Sequence, residues 1–198
     1  MTEIGITGLL APLAAAIRAE APEVSLEVQT LDLDVMVEAL RTGRLDACIC
    51  VPRLDDPNVL RRTLFQHDYV GICAPAHPRI GDRPSLSQFA AESQVVMTPQ
   101  AGYEAVAQSL TDLGLEPHIA YRLPTFSGVA ALVASSECVG FAPMLAAQRV
   151  ARSGQVRIFA LPFEPPATDV SLYTAEPGIQ GPASSWFAEV IHRTLARP

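Results

Sequence analysis

Two hydrophobic periods alternate along this chain, and that alternation constrains the fold more than any other feature. Leu9, Leu10, Leu13 and Ile17 recur at helical spacing, and Pro22 stops the run. Residues 24–30 then alternate apolar and polar positions, the pattern of a half-buried strand. Asp34 is placed to cap a second helix running to Thr42, with Gly43 as its stop signal. Residues 45–51 form a continuous apolar strand around Asp46. Reading residues 2–7 as a strand broken by Gly8 completes a βαβαβ series. Such a series favours a parallel sheet with right-handed crossovers.

The rest of the chain continues in the same manner. Strands are expected over residues 59–65 and 68–75. A short helix starts at Ser85 or Ser87 and reaches Ala91. A strand over 95–97, a loop over 98–102 and a helix over 103–113 closed by Gly114 follow. Next come a strand over 118–123, a turn over 124–126 and a helix over 127–135. After a strand over 139–142, Pro143 begins a helix that Gly154 ends. Strands over 156–161 and 170–174 flank the turn or linker at residues 162–166, which holds three prolines. The last helix, 184–195, presents Trp186, Phe187, Val190, Ile191 and Leu195 on one side. Two such series in 198 residues predict two lobes. The crossings are expected at Pro75-Ala-His-Pro78 and at 162–166, with the last strand and helix returning to the first lobe.

Composition removes several kinds of chemistry. All 14 basic residues are Arg, set against 21 acidic ones, for a net charge of −7. That balance does not supply the basic face of a nucleic-acid-binding domain. Without Lys there is no Schiff-base nucleophile and no P-loop lysine. The four histidines, His67, His77, His118 and His192, are not spaced as a metal motif. Phe126-Ser127-Gly128 lacks the first glycine of a nucleophile elbow, and no G-x-G-x-x-G occurs. We therefore expect no catalytic set, no metal and no cofactor. Cys48 and Cys50 share one face of a strand, but a metal would need two more ligands and no His or further Cys lies nearby in sequence. They read as buried core thiols.

Met1-Thr2-Glu3 puts an acid where a secretory leader carries positive charge. The neutral stretch 123–136 falls short of the roughly 18 apolar residues that a membrane span needs. The four cysteines are too few and too scattered for a disulfide scaffold. The expected compartment is the cytoplasm, with no membrane partner.

What the chain does offer is a set of small polar residues where helices follow strands. They are Thr7-Gly8, Thr30, Thr98 with Gln100, and Thr125-Phe126-Ser127. In open α/β sheets ligands bind beyond the carboxyl ends of the strands. Helix N-termini there present N–H groups and a positive dipole end that suit a carboxylate. The hydroxyls add hydrogen bonds, and Phe126 is placed to wall in or stack on an apolar ligand body. The same residues would serve equally as ordinary helix caps.

An ordered series of segments resembles one family along essentially the whole chain. It comprises residues 12–28, the Val37-Glu-Ala-Leu-Arg-Thr-Gly-Arg-Leu-Asp-Ala47 segment, the 60–64 strand and Ala76-His77-Pro78. It continues through Ser85-Leu-Ser-Gln-Phe89, Leu123-Pro-Thr-Phe126, 129–135 and 139–143. No single motif is specific, but the ordered set resembles the effector-binding domain of LysR-type transcriptional regulators. That resemblance implies an α/β fold of two Rossmann-like lobes joined by two crossover strands, like a type 2 periplasmic-binding protein. Residues 1–72 and 168–198 would form regulatory lobe I, and residues 73–167 lobe II. A small effector would sit in the inter-lobe cleft, with Thr7, Gly8, Thr30, Thr98, Gln100, Thr125, Phe126 and Ser127 at matched cleft positions.

The family's N-terminal winged helix-turn-helix has no counterpart in this sequence. DNA contact is thus expected only through that domain in a parent protein. The connection from Gly8 into Leu9-Leu10 is also shorter than is usual in the family. The loop and helix over 98–113 hold no Cys, which argues against thiol peroxide sensing. Side-by-side homodimers and homotetramers are implied, with the 9–21 helix and the 24–30 strand as pairing surface. The leading expectation is a sensor for a small carboxylate, with an aromatic one as an option. A transporter's solute-binding protein, which needs export, and an enzyme on the same two-lobed scaffold, which needs an acid–base pair, are the alternatives.

Overall fold

The computed structural model describes residues 1–30, 32–98, 104–176 and 181–196. Its helices are α1 (Glu3–Glu20), α2 (Leu33–Arg41), α3 (Leu86–Ala90), α4 (Glu104–Asp112), α5 (Phe126–Ala134), α6 (Met144–Ala151) and α7 (Pro182–Leu195). Its strands are β1 (Cys48–Cys50), β2 (Val59–His67), β3 (Tyr69–Cys73), β4 (Gln94–Met97), β5 (Ile119–Leu123), β6 (Gly140–Pro143), β7 (Arg157–Phe159) and β8 (Thr168–Ala175). The chain divides into two compact units: residues 1–66 with 169–198, and residues 67–168.

In the first unit β1, β8 and β2 form a three-stranded sheet in that order, with β1 and β8 antiparallel. Helices α1 and α7 pack on each other. Helix α1 buries Gly8, Leu9, Leu13 and Ile17, a stripe with helical spacing. A second cluster joins Met36 and Leu40 of α2 to Cys48, Cys50, Leu54, Val59 and Tyr173. The Tyr173 hydroxyl, fully buried, donates to the Pro52 carbonyl at 3.2 Å and accepts from the Leu54 amide at 3.4 Å. Helix α2 ends as expected, with Gly43 at φ 69°, a left-handed conformation that residues with a Cβ rarely adopt.

Two of the expected strands in this unit do not form. Residues 3–7 belong to a helix, because Thr2 caps it: its Oγ1 accepts from the Gly5 amide at 3.2 Å. Glu3 in the first turn complements the helix dipole. Residues 24–30 join no strand ladder. The expected parallel βαβαβ unit is therefore absent from the first unit.

In the second unit β3 is the central strand of a sheet ordered β6-β3-β7, antiparallel to both neighbours. The expected parallel pairing occurs between β4 and β5. Gln94 also bridges Val139 in parallel fashion. Phe89, Val96, Val106, Leu110, Val139, Phe141 and Phe159 make the core. Helix α3 starts at Ser85 with a full capping box shared with Gln88.

The Pro75-to-Pro78 segment is held by polar contacts rather than by packing alone. His77 Nδ1 accepts from the Arg79 and Ile80 amides at 3.3 and 3.2 Å, so Nε2–H donates to the Glu137 carbonyl at 2.9 Å. Arg79 grips the buried Glu92 carboxylate with Nε and Nη2, at 2.8 and 2.7 Å, and reaches Glu137 with Nη1 at 2.7 Å. Both ring nitrogens of His77 are thus spent on backbone groups.

Candidate effector site

The second unit brings three of the candidate residues together. The parallel register of β4 and β5 sets Met97 opposite Leu123. The Thr98 amide donates to the Leu123 carbonyl at 3.0 Å. Thr98 therefore lies just beyond the carboxyl end of β4, beside the turn that carries the chain from β5 into α5. Thr125 is the N-cap of α5, its Oγ1 accepting from the Gly128 amide at 3.3 Å. The Thr125 hydroxyl proton remains available to donate. Ser127 follows in the first turn of α5 and is exposed. A hydroxyl edge and the positive end of a helix dipole thus meet where two parallel strands end. That combination suits an anionic group.

Phe126 behaves differently from expectation. It is 0% exposed. It offers no open face for a ligand to stack on. The cause is its position: the first residue of α5 shares a helix face with the buried Val129, Ala130 and Val133.

Of the remaining candidates, Thr7, Gly8 and Thr30 belong to the first unit. Thr7 is inside α1, where its hydroxyl donates to the Glu3 carbonyl at 3.2 Å, and Gly8 is buried on the same helix. Neither occupies the expected loop, because the strand that would have preceded it is helical. Thr30 is exposed and follows no strand. Gln100 lies outside the described residues.

Two features were missed in the sequence. The first is a cavity of about 350 Å³ in the first unit, lined among others by Leu13, Leu26, Ile49, Trp186, Phe187 and Ile191. It lies beside the 24–29 segment, whose backbone joins no ladder. The apolar face of the last helix was legible, but not that it would remain partly uncovered. The second is Gln94, fully buried in β4, with neither amide atom hydrogen-bonded among the described residues. Nothing in the pattern around Gln94 marks it as interior. Among the described residues no group of three or more His, Cys, Asp and Glu side chains converges as a metal site. No described helix is long and apolar enough to cross a membrane.

Unit by unit, these features define an α/β domain, and comparison with known proteins gives its family. The LysR substrate binding domain family matches residues 1–196, and the chain belongs to that family. It is 26% identical over 190 residues to the HTH-type transcriptional regulator LinR of Sphingobium indicum, covering 95% of this chain and 63% of LinR. The chain thus spans less than two thirds of that relative's length. The regulatory domain of MexT, a transcriptional activator in Pseudomonas aeruginosa, superposes with a TM-score of 0.86 at 23% identity, covering 98% of this chain and 96% of that one. The effector binding domain of QuiR, solved in complex with shikimate, superposes with a TM-score of 0.75 at 15% identity, covering 98% and 92%. The fold shared with these domains is the type 2 periplasmic-binding-like α/β fold. The chain is a ligand-binding regulatory domain of a LysR-type transcriptional regulator.

Proposed function

We propose that this domain senses a small carboxylate at the carboxyl ends of β4 and β5 and passes that binding to the regulator that carries it. The register of Met97 against Leu123 carries the reading, since it sets Thr98 beside the Thr125 cap and the start of α5. Thr98, Thr125 and Ser127 donate or accept hydrogen bonds, and the α5 dipole supplies the positive end. Gln100 belongs to the same group in this proposal. The QuiR domain, with the same fold, was solved in complex with shikimate, whose carboxylate is the chemistry proposed here. Phe126 forms the floor under α5 rather than a stacking surface. Thr7, Gly8 and Thr30 are not assigned to this site.

The domain works by differential affinity for two arrangements of the regulator, because a ligand without that difference shifts nothing. It is not an enzyme in this reading, and it works in the cytoplasm. It pairs with a second copy of itself as a dimer or tetramer. DNA is contacted through another domain of the regulator.

A thermal-shift screen against aromatic and aliphatic carboxylates tests the proposal. Ligand at about 100 times its Kd stabilises by about 2.7 kcal/mol, which raises Tm by roughly 5–10 °C in a chain of this size. Thr98→Ala and Ser127→Ala should each weaken a hit by about 1 kcal/mol, or several-fold in Kd. Equal binding by the uncharged ester of a hit would rule out the carboxylate. Unchanged affinity in both variants would place the ligand elsewhere.

A further inference from the structure

The fold supplies the ligand that the Cys48-Ile49-Cys50 sequence lacked. Cys48 and Cys50 lie two residues apart on β1, so their side chains leave the same face of the strand. Helix α2, twelve residues back, brings Met36 against that face. Met36 Sδ is 3.2 Å from Cys48 Sγ. All three residues are buried, at 3%, 1% and 3% exposure, in one cluster with Leu40, Leu54, Val59 and Tyr173.

We propose that Met36, Cys48 and Cys50 form a binding site for a monovalent soft metal ion of the Cu(I) class. Thiolate and thioether sulfur are the donors that select Cu(I), whereas oxygen-rich or nitrogen-rich sets select harder ions. A structural zinc site calls for four ligands, commonly thiolate and imidazole. Among the described residues no third His, Cys, Asp or Glu joins the two cysteines. The Pro52 carbonyl oxygen, 3.5 Å from Cys50 Sγ, already accepts from the Tyr173 hydroxyl.

Binding exchanges two S–H bonds for two Cu–S bonds and releases two protons, while the thioether adds a third, neutral donor. No electron moves. The bound site carries one net negative charge. A bound ion would tie α2 to β1.

The test is anaerobic titration of the reduced chain with Cu(I) held by bicinchoninate as a coloured competitor, followed by Cu K-edge absorption. The chain should withdraw one Cu(I), and the metal's shell should be sulfur alone, with three neighbours. Cys73→Ser and Cys138→Ser, at the other two cysteines, should behave like the parent. Cys48→Ser and Cys50→Ser should each withdraw none. Met36→Leu, a near-isosteric change, should keep its circular dichroism spectrum and bind at least ten-fold more weakly. Ag(I) should compete for the site, and Zn(II) should not.

The proposal fails if the parent chain leaves Cu(I) with the competitor. It fails if the absorption edge reports nitrogen or oxygen neighbours, and equally if the Cys48→Ser, Cys50→Ser double variant binds as the parent does. An unchanged affinity in folded Met36→Leu would remove the third ligand and with it the proposed site.

Discussion

The ring of Phe159 occupies the space where a side chain of Gly71 would stand. The two residues face each other across β3 and β7, and a Cβ on Gly71 would lie 2.1 Å from Cζ of Phe159. Gly71 is central in its sheet, so its backbone cannot retreat without breaking two ladders. Gly71→Ala should therefore destabilise by about 1–3 kcal/mol, as overpacked cores do. Thermal denaturation should show Tm falling by roughly 3–10 °C. Adding Phe159→Leu should restore part of the loss, so that the double variant melts above Gly71→Ala alone. A double variant that melts at the sum of the two single losses would mean that the residues are not coupled.

Tyr173 joins β8 to the loop after β1 through one hydroxyl. Tyr173→Phe keeps the packing and leaves the Leu54 amide and the Pro52 carbonyl without that partner. The expected loss is about 1–2 kcal/mol, seen as a fall in Tm of roughly 3–6 °C. No change in Tm would show that both groups find other partners.

Gln94 runs the other way. Its side-chain amide is buried with no hydrogen bond among the described residues, a cost rather than a gain. Gln94→Met has a similar length and no polar group to satisfy. It should stabilise the chain by about 1–2 kcal/mol, raising the urea midpoint. A lower midpoint would show that the amide has a partner worth keeping.

His67 should make stability depend on pH. It is buried, its Nε2 has no partner among the described residues, and its ring lies edge-on to Tyr69 at 4.9 Å. Desolvation lowers its pKa, although Asp68 pulls the other way. The folded state then resists protonation more than the unfolded chain, whose histidine titrates near 6.5. Above that pH both states are neutral and the full stability is present. As pH falls below it the unfolded state takes the proton first, so stability drops, by at most about 1.4 kcal/mol per pH unit. Urea unfolding at pH 7.5 and 5.5 should show a smaller drop in His67→Phe than in the parent. Equal drops would assign the dependence to other groups.

Much of the helical structure was legible because its signals are local. Ser85 and Gln88 make their capping box within one turn, and Gly43 and Gly114 stop helices by their own conformational freedom. Pro143, whose sequence pattern suits a first helical residue, stands one position earlier, as the N-cap of α6. The strand patterns were less secure. Residues 2–7, with Ile4 and Ile6 at alternate positions, carry a strand pattern. Thr2 is also a helix cap, and the cap prevailed because it closes within four residues while a strand needs a neighbour from elsewhere.

The candidate site divides along the same line. Thr98 and Thr125 could be singled out as hydroxyls at the ends of strands, but only the β4–β5 register sets them side by side. Ring burial at Phe126 was invisible, because the sequence does not say which side of α5 faces the core.

By itself, then, the sequence determined the alternation of elements, most helix ends and the family to which the chain belongs, since each rests on local spacing or on ordered segments. Tertiary structure alone decided that β1 pairs antiparallel with β8, 120 or more positions away, and that residues 24–30 join no strand ladder among the described residues. It alone set Met36 against Cys48. A ladder or a sulfur cluster needs two distant segments to meet, and which segments meet is settled by the burial of the whole chain.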